Sequence, residues 1–289
     1  MQWVGIQNIY QLWRIFLDRI YIPTLGRYDN QITYNHLPQK WKDITTMVIQ
    51  KKEEHLYDYD CEYLVVDNDI GIAKTREIIY RHGGKCRYIM IDDDITFTRR
   101  NIKYYGFESN MEMSKRDFID SDYDDMINEF EEKHDTGVVV CGCRLSGMPP
   151  YPKRYTDTSG GVMNAYSIDG EIFSEFIDDI DFSYTKDSTF TVEDILINME
   201  ILSRGYQIGR FDEYLYCTDF GSVGGCSNFR EDDFVKKGLE MIMEKFPTYI
   251  EILDEEMKNG QPRAKYAWSK LLKDSPNDKN KASLEEFFG

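Results

Sequence analysis

Tyr88-Ile89-Met90-Ile91 runs directly into Asp92-Asp93-Asp94. An apolar stretch ending in three carboxylates reads as a buried strand that delivers charge to its C-terminal edge, where open α/β sheets bind ligands. Adjacent acids repel one another, and a divalent cation held between them relieves the repulsion. Oxygen donors suit Mg²⁺ or Mn²⁺, and a cation so held can neutralise a diphosphate. Residues i and i+2 of an extended segment share a side, so Asp92 and Asp94 are the pair expected to share the metal. The competing reading is a solvated acidic turn, and the apolar strand feeding the acids weighs against it.

Three further segments carry chemistry. Thr191-Val192-Glu193-Asp194 opens a helical pattern. Acids in a first turn favour the helix dipole and Thr191 can cap, but a second carboxylate pair facing the first would also supply a base for a hydroxyl proton. Ile22-Pro23-Thr24-Leu25-Gly26-Arg27 ends a strand in a polar turn, where Arg27 offers a planar donor fork to a phosphate or a pyrimidine edge. A plain strand-to-helix turn is the alternative. Thr158-Ser159-Gly160-Gly161 is a loop whose backbone a sugar can approach closely, a weaker signal. Late in the chain, Gln261-Pro262-Arg263-Ala264-Lys265 is basic and follows Gly260, so it reads as a lid over a diphosphate or as a solvated tail helix.

These residues need elements to hold them. Short β-branched runs at 19–25, 44–49, 63–66, 88–91 and 137–141 read as strands. Helical periodicity covers 70–82 before Gly83-Gly84, 193–204 before Gly205, and 232–246 before Pro247. Residues 107–135 read as one amphipathic helix with Ile119, Tyr123, Met126, Ile127 and Phe130 inward, and 156–165 as a loop. Strands alternating with helices predict an α/β fold, a mainly parallel central sheet flanked by helices. The expected organisation is an N-terminal helical extension over 1–18, a catalytic domain over 19–230, and a C-terminal helical extension with a polar tail over 231–289.

The chain has 289 residues, of which 41% are hydrophobic, which excludes a disordered chain. No apolar run is long enough to span a membrane. With 35 Lys+Arg against 52 Asp+Glu, the net charge of −17 argues against holding nucleic acid by bulk charge. Much of that charge lies in 107–135. Lys74, Arg76, Arg81, Lys85 and Arg87 stand against Glu77 alone, with Arg99, Arg100 and Lys103 soon after, so a locally basic face beside the acids is one expectation and ordinary helix surface the other. Six cysteines lack zinc spacing and read as reduced thiols of a cytoplasmic protein. The N-terminus lacks the basic region and cleavage site of a signal peptide.

In this order, over roughly residues 19–220, the segments resemble the GT-A family of nucleotide-sugar glycosyltransferases. The resemblance implies a UDP-sugar donor held with Mn²⁺ or Mg²⁺. It implies that Pro23, Thr24, Arg27 and Asp67 meet the nucleobase, and that Lys74 and Arg76 help hold ribose or phosphate. Asp92 would contact ribose or metal within a motif that includes Asp93, and Asp94 would be the main metal ligand. Gly160 and Gly161 would lie by the donor sugar, with Arg263 and Lys265 assisting at the diphosphate. Glu193 or Asp194 would contact the acceptor or act as base. Many GT-A enzymes take a third ligand from a late His. Here His36, His55, His82 and His134 all come earlier, so Asp219 or water would substitute.

The turn Gly26 to Thr33 and the segment Cys217 to Gly225 look more narrowly like phage glycosyltransferases associated with TET/JBP-type dioxygenases. That narrower resemblance implies a hydroxymethylated pyrimidine in DNA as acceptor, a base that has to leave the stack. The rivals are a GT-A enzyme acting on a glycan, lipid or protein, a nucleotidyltransferase with the same metal logic, and an inactive nucleotide-sugar-binding module. Intact Asp92, Asp94, Glu193 and Asp194 count against the last. The sugar, the stereochemical outcome and the oligomeric state are left open by these residues.

Overall fold

A computed structural model describes residues 17–104, 111–148, 154–157, 161–187, 189–218, 232–256 and 262–275. The expected N-terminal helix, Gly160, Asp219 and most of the polar tail lie outside the described residues.

β1 (Leu17–Pro23) sends Ile20 and Ile22 to one face and Tyr21 to the other. Two short helices, α1 (Ile32–His36) and α2 (Gln39–Lys42), lead to β2 (Thr45–Gln50), and a single-turn stretch leads to β3 (Glu62–Val66). α3 (Gly71–Gly83) then returns the chain to β4 (Arg87–Ile91). β2 and β4 are buried at every position, as strands covered on both faces must be. These four strands are parallel in the order β3-β2-β1-β4.

The remaining elements are β5 (Ile95–Tyr104), β6 (Met111–Asp117), α4 (Asp120–His134), β7 (Val138–Leu145), β8 (Tyr155–Asp157), β9 (Ala165–Asp169), α5 (Gly170–Phe173), α6 (Glu193–Ser203), β10 (Gln207–Thr218), α7 (Asp232–Lys245), β11 (Ile250–Glu256), β12 (Pro262–Tyr266) and α8 (Trp268–Asp274). The sheet continues from β4 through β9, β7, β10, β5 and β6, with β8 paired to β10. Among the described residues β9, β5 and β8 run against the other strands of this sheet, so it is mainly parallel, as expected. One face packs on α3, α5, α6, α7 and α8. The other packs on α1 and α4. No helix among the described residues is long and apolar enough to cross a membrane.

Several expectations are corrected. The segment 107–135 is not one helix, because Met111–Asp117 is strand β6 paired to β5. α4 starts at Asp120, and Ile119 stands exposed just ahead of it, so the inward row begins at Tyr123. The run of acids hid a change of period from 2 to 3.6. Tyr155–Asp157, expected within or beside a loop, pairs with β10. The C-terminal extension is not all helical: β11 and β12 form an antiparallel hairpin. The segment carrying Arg263 and Lys265 is therefore a strand, with both residues exposed and Pro262, Ala264 and Tyr266 half-buried.

Candidate active site

Asp92, Asp93 and Asp94 form the turn between β4 and β5, at the C-terminal edge of the parallel strands. Strand alternation carries past β4. Asp92 follows the face of Tyr88 and Met90, and Asp93 follows that of Ile89 and Ile91. Thr33 of α1 pins the turn: its hydroxyl donates to Asp92 O at 2.5 Å, its N–H donates to Asp93 O at 3.1 Å, and Ile95 N–H donates to its Oγ1 at 2.8 Å.

Asp93 is buried and faces inward. Thr24 Oγ1 donates to its Oδ2 at 2.6 Å, and Arg27 Nη1 pairs with its Oδ1. Burial pushes its carboxyl up to about 6, against the pull of Arg27. Arg27 also reaches Asp94 Oδ2 at 3.3 Å, so this arginine, itself buried, straps two acids of the turn together. Gln31 Nε2 donates to Thr24 Oγ1 at 2.7 Å and to Arg27 O at 2.9 Å. Pro23 closes β1 opposite Val48. Gly26 sits at φ +68°, a conformation that costs glycine little, and its N–H donates to Glu53 at 2.8 Å.

Arg76 joins the two carboxylate signals. Its Nη2 donates to Asp92 Oδ1 at 2.8 Å and its Nη1 lies 2.7 Å from Glu193 Oε1. Arg76 is buried, yet Asp92 and Glu193 hold its charge and raise its pKa well above the usual value. Glu193 is buried at the start of α6, where Val192 rather than Thr191 occupies the cap position. Its Oε2 finds no partner among the described residues, and burial pushes its carboxyl up to about 7. Asp194 is less buried. Its Oδ1 accepts the Ile195 N–H at 2.7 Å, and it lines a small void with Tyr80, Val162, Tyr166 and Asn198. The expected pair is thus divided: Glu193 is committed to Arg76, and Asp194 is half-buried beside the small void.

Other expected residues are more peripheral. Asp67 is exposed beyond the end of β3, two strands from β1. Lys74, half-exposed on α3, pairs with Glu77 at 2.8 Å. Lys265 lies 3.8 Å from Glu251, both exposed. Among the described side chains, which do not include that of Lys103, the locally basic face does not form. Arg81 meets Glu77 and Asp178, Arg87 is buried among Glu131, Asp135 and Asp169, and Arg99 meets Asp122, Asp125 and Glu213. Lys85 is exposed, while Arg100 is buried against the carbonyl of Asp212.

Residues that no motif marked complete the site. Asn164, at φ +61°, donates to Asp92 Oδ2 at 2.6 Å while its carbonyl accepts the Asp92 N–H at 2.8 Å. Tyr216 of β10 donates to Asn164 Oδ1 at 3.2 Å. An Asn just before an apolar run, a residue type tolerant of positive φ, was the available signal for Asn164. Gly161 packs on Trp268 of α8, whose indole would stand 3.4 Å from a side chain there.

Asp92 and Asp94 are both partly exposed, and burial together with the charge of Asp92 raises the pKa of Asp94. Two neighbouring carboxylates with lone pairs to spare are donors of the kind that would hold a hard cation. Among the described residues no three His, Cys, Asp or Glu side chains converge on one such position.

Known proteins frame this geometry. A putative glucose-1-phosphate thymidylyltransferase from Bacillus anthracis shares 14% identity at TM-score 0.39, over 68% of this chain and 88% of that one. S. aureus TarS 1–349 in complex with UDP shares 10% at TM-score 0.38, over 78% of this chain and 65% of that one. A UDP-glucose pyrophosphorylase complexed with UDP-glucose shares 7% at TM-score 0.41, over 79% and 100%. No curated protein sequence matches the chain. The mainly parallel sheet flanked by helices is the α/β architecture expected from the sequence. The model of the TET-associated glycosyltransferase family matches residues 19–224, a span that takes in both carboxylate pairs and the arginine between them, and the chain belongs to that family.

Proposed function

We propose that the chain moves a sugar from a UDP-sugar to the hydroxyl of a 5-hydroxymethylpyrimidine in DNA, acting in the cytoplasm of the cell that carries that DNA. The observation that carries the reading is Arg76, which ties the acid turn at the sheet edge to the start of α6. Donor-side and acceptor-side carboxylates are thereby held at one edge. The family supplies the reaction class.

In this reading residues 19–230 form the catalytic unit between two extensions. The ends of β1 and β3, with Pro23, Thr24 and Asp67, receive the uridine, and Lys74 flanks it from α3. Arg27 and Asp93 act from within, as the strap that shapes the turn. Asp92 and Asp94 would hold Mn²⁺ or Mg²⁺, which when bound offsets the charge of the departing diphosphate. Gly161 would let the donor sugar approach the backbone, and Gly160 lies outside the described residues. Asp194 accepts the proton of the acceptor hydroxyl, and Glu193 positions it through α6. Arg263 and Lys265, on the outer side of the hairpin, are left out of the chemistry. Asp219 lies outside the described residues and has no role assigned.

The test is incubation with a panel of UDP-sugars, Mn²⁺ and hydroxymethylcytosine DNA, followed by digestion to nucleosides and mass spectrometry. The expected result is a nucleoside heavier by one sugar. Chelation of the metal should abolish this product, and Asp94→Ala should lower it about a hundredfold or more. No mass gain with any donor removes the DNA acceptor. Full activity in Asp94→Ala removes the metal assignment.

A further inference from the structure

The family match ends at residue 224, and the elements lining the site extend beyond it. α8 packs against the same core as α6, with Trp268, Leu271 and Leu272 buried. The Ala267 N–H donates to Tyr249 O at 2.8 Å and fixes the corner between β12 and α8. Trp268 is thereby set against Gly161. The rings of Tyr266 and Trp268 stack with centroids 4.9 Å apart and planes 23° apart. Tyr266 is half-buried: it packs in part on the core, stacks on Trp268, and keeps part of its surface exposed. Gly161 leads into Val162, which lines one small void with Asp194, and Asn198 of α6 donates to both the Val162 carbonyl at 3.0 Å and the Asp194 carbonyl at 2.6 Å, so the corner carrying Trp268 lies beside the start of α6.

We propose that Tyr266, backed by Trp268, is the platform on which the acceptor ring lies while its hydroxyl reaches Asp194. A stacked aromatic pair extends readily into a third flat ring, so the class of acceptor it suits is a heteroaromatic base taken out of its stack. The proposal rests on the acceptor reading above and adds to it an element outside the family span. Tyr266 is a specificity-determining residue here, since it takes no part in the bond that forms or breaks.

The experiment compares the full chain with its Tyr266→Ala and Tyr266→Phe variants in two measurements. The first is the KM for hydroxymethylcytosine DNA with a UDP-sugar and Mn²⁺. The second is binding of the free hydroxymethylcytosine nucleoside to protein loaded with UDP and Mn²⁺. Losing one stacking partner should raise the acceptor KM and weaken nucleoside binding about tenfold in Tyr266→Ala. Affinity for UDP should stay as in the wild type, and Tyr266→Phe should restore acceptor binding. Unchanged acceptor binding in Tyr266→Ala overturns the platform, as does a Tyr266→Phe variant as impaired as Tyr266→Ala. If the wild type transfers nothing to DNA but binds the nucleoside in a Tyr266-dependent way, the DNA reading falls and the platform stands.

Discussion

Arg76 sits between Asp92 and Glu193 with little room for water, so its charge balances theirs. Removing one member of a buried ion pair leaves the partner desolvated and unpaired, at a cost of about 3–5 kcal/mol. Arg76→Met should therefore destabilise the fold strongly. Pairing it with Glu193→Gln should cost less than the sum of the two single changes, because the orphaned carboxylate is gone. Denaturant unfolding of the four proteins measures this coupling, and strict additivity would show that the pair is not a unit. Asp92 and Glu193 could be picked out of the sequence as acids of interest. Their common partner could not, because Arg76 reads as one base among several on an ordinary helix. Asn164 is similar: its importance comes from a backbone angle and a single carboxylate oxygen, and neither leaves a pattern in residue types.

α4 shows at the level of an element how charge that looks superficial is spent internally. Asp122 is buried at its start, where it accepts the Ile119 N–H at 2.9 Å, Arg99 at 2.7 Å and the guanidinium of Arg116. Those donors hold its carboxyl well below the usual carboxylate range, although burial works the other way. Asp122→Ala should cost about 1–3 kcal/mol, less than a fully buried pair would lose, because Arg116 is part-exposed and Arg99 keeps Asp125 and Glu213, and Asp122→Asn somewhat less. Because α4 covers the face away from α3 and α6, UDP affinity should be unchanged. Thermal unfolding beside a UDP titration checks both parts. The strands β1 to β4 were legible because they read as short apolar runs, buried at every position in β2 and β4. α3 and α6 were legible because their periodicity ended at glycines. β5, β6 and β10 were not, because charged residues within them form ion pairs between elements, and Arg99, Arg116 and Glu213 look like solvated helix surface until their partners are known.

At the scale of the whole molecule, internal pairing changes what a net charge of −17 means. Most of the bases expected to form a face toward a polyanion are held in ion pairs, so contact with DNA should be weak and salt-sensitive and should rely on the site itself. Stability should also depend on pH through His134. Its ring bridges Val138 O and Ser167 Oγ, each at 2.7 Å, and burial lowers its pKa to about 4. The unfolded chain takes up this proton near the usual value of 6.5. The contribution is therefore complete above that pH and is lost as pH falls toward 4. Asp93 and Glu193, raised to about 6 and 7, act in the opposite sense and penalise the fold as pH rises through the ordinary carboxylate range. Unfolding free energies of wild type and His134→Gln should accordingly converge between pH 7 and pH 5. Parallel profiles would show that His134 does not titrate in this way.

The Arg76 bridge also has a consequence for the order in which the protein is made. A ribosome delivers Arg76 and Asp92 together, but Glu193 emerges only after α4, β7 and β9. At about 5–20 residues per second the nascent chain spends several seconds holding one half of the pairing. Its sheet edge cannot close until α6 arrives, and β4 cannot gain its β9 neighbour until the chain has returned from the far side of the sheet. A polypeptide released before α6 would expose the Arg76–Asp92 pair at an open edge, a form that quality-control proteases can distinguish from the finished chain.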